Sequence, residues 1–464
     1  MISIILASVI YLQAPNTQLQ IWQKWIAPGL SYYMEYEPAG PRVVQALKIN
    51  LKSADIRPIC ELADGVVYDN SPNKGRAPLS SIVKMDHALG GINGDFFPFK
   101  GNPLNLMVRD GEFVAMPYQP KDFPDAKRPV FAWGLHHTAF GYPRTQLNVV
   151  PDGMKSISVQ GFNADALHNE VTLDSSSTGL AIAKSPNSYA VIQIQSGKWT
   201  PNAKLRGSVI ATGTNLTSRA VLPGTAVLIG EDAAALSVGK LTKGSELDIS
   251  IATTGFDWTK MTNAVGGNSM LVQNGKISVT ASQGRLNDDF INMRHPRSAI
   301  GVDRKGQIWL VAVDGGSTVS IGATLDELAK IMQSFGCVTA MNLDGGGSVD
   351  LDVLGMTMNK PSDGRERAIA NAIIVLGTPP TPDGETYKLV APTSIVMGSQ
   401  IPGLAVTRDD GSVVPQSEVF WSGNGAGWVD GGGNIHVVRP GLLRIHALLH
   451  GEQLSAQLEI KSAK

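Results

Sequence analysis

Two apolar runs enclose a helical pattern in the segment that decides the fold: Ile-Trp-Leu-Val-Ala-Val at 308–313, Thr-Leu-Asp-Glu-Leu-Ala-Lys-Ile-Met-Gln-Ser-Phe-Gly at 324–336 and Val-Thr-Ala-Met-Asn-Leu at 338–343. Thr324 and Glu327 form a capping box, which predicts the start of the helix. The helix is predicted to end at Gly336 and to bury Leu325, Leu328, Ala329, Met332 and Phe335. Strand, helix and strand predict a right-handed crossover between parallel strands, which would end at the same sheet edge.

Both predicted strands run into loops of the same kind. Asp314-Gly315-Gly316-Ser317 follows the first strand, and Asp344-Gly345-Gly346-Gly347-Ser348 follows the second. Glycine lets backbone N–H groups approach a ligand, and the adjacent Asp offers a carboxylate for proton transfer, nucleophilic attack or sugar binding. One such loop alone is more often a tight turn capped by its own Asp. Two of them at one sheet edge favour a functional site.

Three further segments carry residue types suited to sugars or phosphates. They are Gly-Gly-Ile-Asn-Gly-Asp-Phe-Phe-Pro at 90–98, Gly-Gly-Asn-Ser-Met at 266–270 and Arg-His-Pro-Arg-Ser-Ala-Ile-Gly at 294–301. Amide and carboxylate groups hydrogen-bond sugar hydroxyls, an aromatic ring can stack on a sugar face, and Arg binds phosphate in a bidentate manner. The structural alternatives are a hairpin turn for the first segment and surface ion pairs for the arginines.

Taken together, these segments resemble the phosphodiester glycosidase family over roughly residues 33–377. The motifs that carry the resemblance are Asn-Gly-Asp-Phe-Phe at 93–97, the Gly-Gly run at 266–275, the Arg-rich segment at 294–301, Leu-Asp-Gly-Gly-Gly-Ser at 343–348 and Arg-Ala-Ile-Ala-Asn-Ala at 367–372. The family usually continues its glycine loop with Ser-Ser-Thr. Here Ser348 is followed by Val349 and Asp350, which adds a carboxylate near the loop.

The resemblance implies hydrolysis of a sugar 1-phosphodiester on its sugar side. We expect Asp344 to activate water or attack the anomeric carbon, Asp95 to be its partner or to bind the sugar, and Arg297 to stabilise the phosphate leaving group. Arg294 and the loop amides would support Arg297. The expected substrate-binding residues are Asn93, Gly94, Phe97, Gly267, Arg294, Asp314, Gly345, Gly346, Gly347, Ser348, Arg367 and Asn371. No cofactor is identified. Asp350 and Asp352 would share a strand face, so a divalent cation could bind between their carboxylates.

The expected fold class is α+β, with a β-rich catalytic domain that contains a mixed sheet and few helices at 18–377. A Pro-rich linker is predicted at 378–385, because its prolines remove backbone donors. Short strands with regular turn signals predict a small all-β immunoglobulin-like domain at 386–464. The apolar start of the segment 1–17 resembles a signal peptide and predicts a secreted or extracytoplasmic protein, with a buried first strand as the alternative.

The net charge of −1 shows no electrostatic footprint for nucleic acid. We therefore expect a carbohydrate or sugar-phosphate substrate, and a cell-surface glycan is one candidate. Cys60 and Cys337 permit one disulfide, but two buried free thiols fit their apolar surroundings at least as well. Two other functions stay open: a non-catalytic glycan-binding surface protein, and a phosphodiesterase that cuts the P–O bond of a polysaccharide.

Overall fold

An eight-stranded antiparallel sheet, the first sheet, contains both predicted strands. The computed structural model describes residues 18–98, 101–117, 126–165 and 168–463, so the predicted signal segment at 1–17 lies outside the described residues. In spatial order the strands of the first sheet are Gln20–Ala27, Leu30–Glu37, Arg42–Ile49, Ile308–Val313, Arg297–Asp303, Cys337–Asn342, Ser269–Gln273 and Lys276–Ile277.

The strands Ile308–Val313 and Cys337–Asn342 run in the same direction, but they are not neighbours. Arg297–Asp303 lies between them and pairs antiparallel with both. The two strands are thus parallel to each other, as predicted, with one antiparallel strand between them. Because both are antiparallel to the same middle strand, they still end at one sheet edge, as predicted.

The predicted helix spans Leu325–Ser334, and both hydrogen bonds of the Thr324–Glu327 capping box are present. Such a cap stabilises a helix by about 1 kcal/mol. Four of the five predicted apolar residues are buried, and the fifth, Phe335, is partly buried and stacks on Trp309 with ring centroids 4.7 Å apart. The other α-helices are short: Leu79–Met85, Ala235–Val238 and Asp288–Asn292.

A second sheet of five strands packs against the first and completes the main core. Its strands, in spatial order, are Met356–Thr357, Leu351–Val353, Gly90–Asn93, Asn371–Gly377 and Ile56–Leu62. The core between the sheets includes Leu47, Leu310 and Met341 from one side and Ile92 and Ile373 from the other. Each fully buried side chain of this size contributes about 1.5–3 kcal/mol.

The middle of the chain forms two further large sheets. One has the strands Glu112–Ala115, Met107–Arg109, Asn263–Gly266, Val130–Trp133 and Thr138–Gly141. The other has Ile157–Val159, Thr145–Pro151, Glu246–Thr253, Lys204–Thr214, Asn187–Ser196, Thr225–Glu231, Val171–Ser175 and Gly161–Phe162, and the strands Leu180–Ile182 and Ser218–Ala220 pair separately. This second eight-stranded sheet is mixed, because its strand Gly161–Phe162 runs parallel to Val171–Ser175. The β-rich fold class is thus confirmed.

The C-terminal strands pack against the first sheet. They form the groups Tyr387–Val390 with Ala405–Arg408, Ser394–Val396 with Glu452–Lys461, Gly441–Leu449 and Phe420–Gly425, and Gly427–Val429 with Ile435–Val437. The ring centroids of Phe420 and Tyr32 lie 5.9 Å apart, and those of Trp428 and Tyr36 lie 4.8 Å apart. The Lys24 amine also donates to the Gln416 carbonyl. The immunoglobulin-like topology and the domain bounds stay predictions.

Two further features of the described ranges bear on the expectations. Cys60 and Cys337 are both buried free thiols, so the disulfide alternative is wrong. No helix in the described part of the chain is long and apolar enough to cross a membrane.

Candidate active site

The Asp344 loop leaves the edge of the first sheet directly after the strand Cys337–Asn342. Gly346–Ser348 forms a single 3-10 turn, and Gly346 has a φ of +63°, which favours glycine. The Gly345 N–H donates to the Asp344 carboxylate over 2.8 Å, and the Gly346 N–H donates to the Pro296 carbonyl. Because these two N–H groups have protein acceptors, the expected anion site at the loop amides is not free at Gly345 and Gly346.

Asn93 joins this loop to the second sheet. Its side-chain amide donates to the Asp344 carbonyl over 2.9 Å, and its side-chain oxygen accepts the Ser298 hydroxyl over 2.6 Å. The Asp344 N–H in turn donates to the Gly94 carbonyl over 3.1 Å. The segments that carry Asp95 and Asp344, predicted from separate motifs, therefore lie side by side.

Asn371 fixes the same segment from its other side. Its backbone oxygen accepts the Gly94 N–H, and its side-chain oxygen accepts the Asp95 N–H over 2.7 Å. A Cβ on Gly94 would lie 2.1 Å from that side-chain oxygen, so no other residue fits here without displacing Asn371. Asn371 and Gly94 thus position Asp95.

Asp95 is only 2% exposed and accepts three N–H bonds. They come from the backbone of Phe96 and from both the backbone and the side chain of Asn105, over 2.7–2.8 Å. Burial raises the pKa of Asp95 to about 7, against the lowering effect of Asn105, Phe96 and the nearby charge of Arg128. Asn105 and Arg128 belong to no motif and are missed by sequence reasoning.

Asp344 differs from Asp95 because it is partly exposed. Burial raises its pKa to about 6, while the Ser348 hydroxyl, the Gly345 N–H and the Arg367 charge act to lower it. Of the two carboxylates, Asp344 is therefore the one that can meet a substrate.

Two buried asparagines support the Asp344 loop from below. The Asn342 side chain donates to the Asn268 side chain over 2.8 Å and to the Leu343 carbonyl over 2.7 Å. Gly267 packs closely here, since a Cβ would lie 2.4 Å from the Asn342 carbonyl oxygen. The Gly-Gly-Asn segment therefore packs against the strand that leads into the Asp344 loop, and Asn342 is a residue that sequence reasoning did not single out.

The side chain of Arg297 points away from the face of the sheet on which Asn93 and the Asp344 loop meet. Its neighbour Ser298 faces Asn93, so strand alternation directs Arg297 to the opposite face, toward the helix Leu325–Ser334. The guanidinium donates to the carbonyls of Ala323, Phe290 and Met293. It thereby holds the segment 290–296 against the residue that precedes the helix cap. Burial lowers the pKa of Arg297 to about 10. This placement gives it a positioning role instead of the expected contact with phosphate.

The other two predicted arginines have acidic partners. Arg294 is half-exposed and pairs with Glu327, which was the structural alternative for it. Arg367 pairs with Asp363 over 2.8 Å and reaches the Ser348 hydroxyl over 3.4 Å. Its guanidinium also packs against Gly347, where a Cβ would lie 2.0 Å from Nη2. Arg367 is thus the predicted arginine that lies at the Asp344 loop.

Asp314 and Phe97 lie in surroundings that differ from those expected of substrate-binding residues. Asp314 is 7% exposed, its carboxylate accepts the Lys360 N–H over 3.2 Å, and burial raises its pKa to about 7. Phe97 packs against the apolar cluster around Leu79 and Ile369.

The additional carboxylates at 350 and 352 are both buried. Asp350 is 2% exposed, and no donor among the described residues reaches either oxygen. Burial and the neighbouring Glu366 raise its pKa well above the usual range. Across the residues the structure covers, no group of three His, Cys, Asp or Glu is arranged to hold a metal ion. The divalent cation therefore stays a prediction without structural support.

This geometry agrees with the comparison to known families. Residues 190–376 match the sequence profile of phosphodiester glycosidases. The matched region includes the Asp344 loop and Arg367. The resemblance drawn from the motifs is thereby confirmed. Asn93 and Asp95 precede the matched residues, and Asn93 is hydrogen-bonded to Asp344 within them.

Relatives support the same assignment over shorter stretches. The SPbeta prophage-derived uncharacterized protein YomE of Bacillus subtilis is 40% identical over 85 residues, 18% of this chain and 13% of that protein. The N-acetylglucosamine-1-phosphodiester alpha-N-acetylglucosaminidase of Bos taurus is 31% identical over 166 residues, 34% of this chain and 30% of that protein. The chain thus spans less than a third of either relative.

A solved structure shows the same fold. The crystal structure of a hypothetical protein from Synechocystis superposes with a TM-score of 0.63 at 22% identity, and the match covers 76% of this chain and 63% of the other. At this identity the likeness concerns the fold alone.

Proposed function

We propose that this protein is an exported glycosidase that hydrolyses the bond between the anomeric carbon of a sugar and a phosphodiester. The observation that carries the proposal is the pairing of the Asp95 and Asp344 segments through Asn93, with Asp344 partly exposed. The match to phosphodiester glycosidases supports the reaction class. The name of the Bos taurus relative makes an N-acetylglucosamine 1-phosphodiester the first substrate to test.

In the reaction, water adds to the anomeric carbon while the bond from that carbon to the phosphate oxygen breaks. The sugar leaves with a free hydroxyl, and the bridging oxygen stays on a phosphate monoester. A phosphate ester is a weak base, so cationic stabilisation can replace most of the protonation that an alkoxide would need. The Asp344 carboxylate either attacks the anomeric carbon or removes a proton from the attacking water, and the anomeric configuration of the product distinguishes these routes.

Asp95 has a different role, because three N–H groups hold its carboxylate inside the protein. It positions Asn105, whose side chain also donates to the Gly267 carbonyl. The raised pKa of Asp344 predicts activity that increases as this carboxylate ionises near pH 6. A pH–activity profile with its acidic limb near pH 6 would support the role of Asp344.

The test is a panel of sugar 1-phosphodiesters with the wild type and Asp344→Asn. We expect sugar release by the wild type and its loss in the variant. Asp326→Asn is a matched control, because Asp326 is exposed on the helix Leu325–Ser334. Release that is equal in all three proteins would contradict the role of Asp344. Export is tested separately by fractionation of the producing cells.

The alternatives give different results in the same panel. In ¹⁸O-labelled water a glycosidase places the label on the sugar, whereas a phosphodiesterase that cuts P–O places it on phosphate. A glycan-binding protein would retain the sugar ligand without turnover, and Asp344→Asn would then change only the affinity.

A further inference from the structure

The proposed reaction needs a cation at the phosphate, and none of the three predicted arginines combines unused donors with a place on the Asp344 side of the sheet. Arg294 pairs with Glu327, and Arg367 pairs with Asp363. Arg297 donates to three carbonyls and has a buried, unpartnered Nη1, but its guanidinium lies fully buried on the strand face opposite to Asn93. The cation that binds the phosphate is therefore expected to be another arginine, one with unused donors near the site.

Arg128 has such donors. It is half-buried, and within the described ranges its Nε is buried without a hydrogen-bond partner. An unpaired buried N–H of a charged group costs about 1–3 kcal/mol, so its retention calls for a ligand or a specific charge partner. Asp95 is close enough to Arg128 for the two charges to interact.

The backbone around Arg128 is anchored to the site on both sides. The Lys127 N–H donates to the Gln283 carbonyl over 3.0 Å, and the Pro129 carbonyl accepts the Gly267 N–H over 2.9 Å. The Gly267 carbonyl accepts the side chain of Asn105, which binds Asp95. Three hydrogen bonds, through Gly267 and Asn105, thus connect Pro129, the residue after Arg128, to the buried carboxylate.

We propose that Arg128 binds the phosphate group of the substrate, an inference that rests on the proposed function and names the anion its site takes. A guanidinium matches two phosphate oxygens at once. Asp95 holds the free guanidinium in place through its charge without using its N–H donors. The substrate class is therefore a glycosyl phosphate, and a neutral glycoside of the same sugar would lack the contact.

The experiment measures phosphate recognition apart from turnover. Binding of inorganic phosphate and of N-acetylglucosamine 1-phosphate is compared in the wild type, Arg128→Gln, Arg128→Lys and Arg304→Gln. Arg304 is the matched control, because it is exposed at the turn on the far end of the strand Arg297–Asp303. We expect at least a tenfold loss of affinity in Arg128→Gln, a smaller loss in Arg128→Lys and no change in Arg304→Gln.

A second readout separates phosphate binding from charge balance around Asp95. For a phosphodiester substrate, kcat/KM should fall roughly 100-fold in Arg128→Gln, while hydrolysis of an aryl glycoside of the same sugar should change by only a few-fold. Equal losses on both substrates would overturn the proposal and leave Arg128 a structural role. Thermal unfolding of each variant shows that the comparison concerns folded protein.

Failure of this inference can be distinguished from failure of the proposed function. If Arg128 controls binding of the sugar phosphate but no phosphodiester is cleaved, the anion site stands and the glycosidase does not. If the wild type cleaves phosphodiesters and Arg128→Gln does so equally well, the glycosidase stands and the role of Arg128 is overturned. A wild type that binds neither phosphate compound also overturns it.

Discussion

The loops that begin at Asp314 and Asp344 have nearly the same sequence and leave the same sheet edge, but they have different surroundings. Asp344 is partly exposed and faces the Asn93 segment and Arg367. Asp314 is buried, its carboxylate accepts the Lys360 N–H, and its carbonyl accepts the Ser320 hydroxyl. Of the two Asp-Gly-Gly sequences at this edge, the one at Asp344 therefore provides a candidate reacting group. The one at Asp314 provides a buried carboxylate that holds neighbouring segments together.

The difference shows that an Asp-Gly-Gly loop does not define a site by itself. What separates the two loops is the partner segment that each one meets. The Asp344 loop meets 93–95, which brings a second carboxylate, whereas the Asp314 loop is covered by the chain at 359–360. Substitutions at equivalent positions of the two loops can test this difference at the aspartate, at the first glycine and at the final serine.

The largest effect is expected from removing the two carboxylates. Asp344→Asn should lower kcat/KM for a sugar 1-phosphodiester by roughly 1,000-fold or more, because a group that acts in the transition state is lost. Asp314→Asn should stay within tenfold of the wild type, since this carboxylate lies away from the substrate. Steady-state kinetics of both variants provide the check, and comparable losses would mean that the Asp314 loop also belongs to the active site.

The next effect concerns stability as a function of pH. The folded-state pKa of Asp314 is about 7, above its usual value, so folding favours the protonated form. Its contribution to stability is full below about pH 4 and is lost as pH increases toward 7. Relative to Asp314→Asn, the wild type should lose on the order of 3 kcal/mol over this range. Urea unfolding at pH 4.5 and pH 7.5 measures the difference, and parallel pH profiles would contradict the burial of an ionisable Asp314.

The glycines after the two aspartates should differ in their tolerance of a side chain. A Cβ on Gly315 would lie 2.7 Å from the backbone nitrogen of Pro296, whereas the nearest atom to one on Gly345 is 3.1 Å away. Gly315→Ala should therefore lower the free energy of unfolding by about 2 kcal/mol, and Gly345→Ala by less than about 1 kcal/mol. Chemical denaturation is the measurement, and the reverse order would show that the Asp344 loop is the more tightly packed one.

The smallest effect is expected at the serines that end the loops. The Ser348 hydroxyl lowers the pKa of Asp344, so Ser348→Ala should move the acidic limb of the pH–activity profile to higher pH. A shift of up to about one unit is expected for one hydrogen bond. The Ser317 side chain bonds within its own turn to Ser320, so Ser317→Ala should leave the profile unchanged. Identical profiles for the two variants would remove Ser348 from the environment of Asp344.

The amino-acid sequence by itself determined the local elements and their direction. The capping box at Thr324 and Glu327 set the start of the helix, and the two apolar runs set strands that end at one edge. These features depend on residues close in the chain, so their patterns are readable. The family motifs also predicted that Asn93 and Asp344 lie close together, and the two residues are hydrogen-bonded.

Tertiary structure alone decided which side chains reach that site. Arg297 follows Pro296 and precedes Ser298, and only the register of its strand turns it away from Asn93. Asp314 became internal because a distant segment covers it, and Arg128 approached Asp95 without belonging to any motif. Side-chain direction and burial depend on residues far away in sequence, which no local pattern encodes.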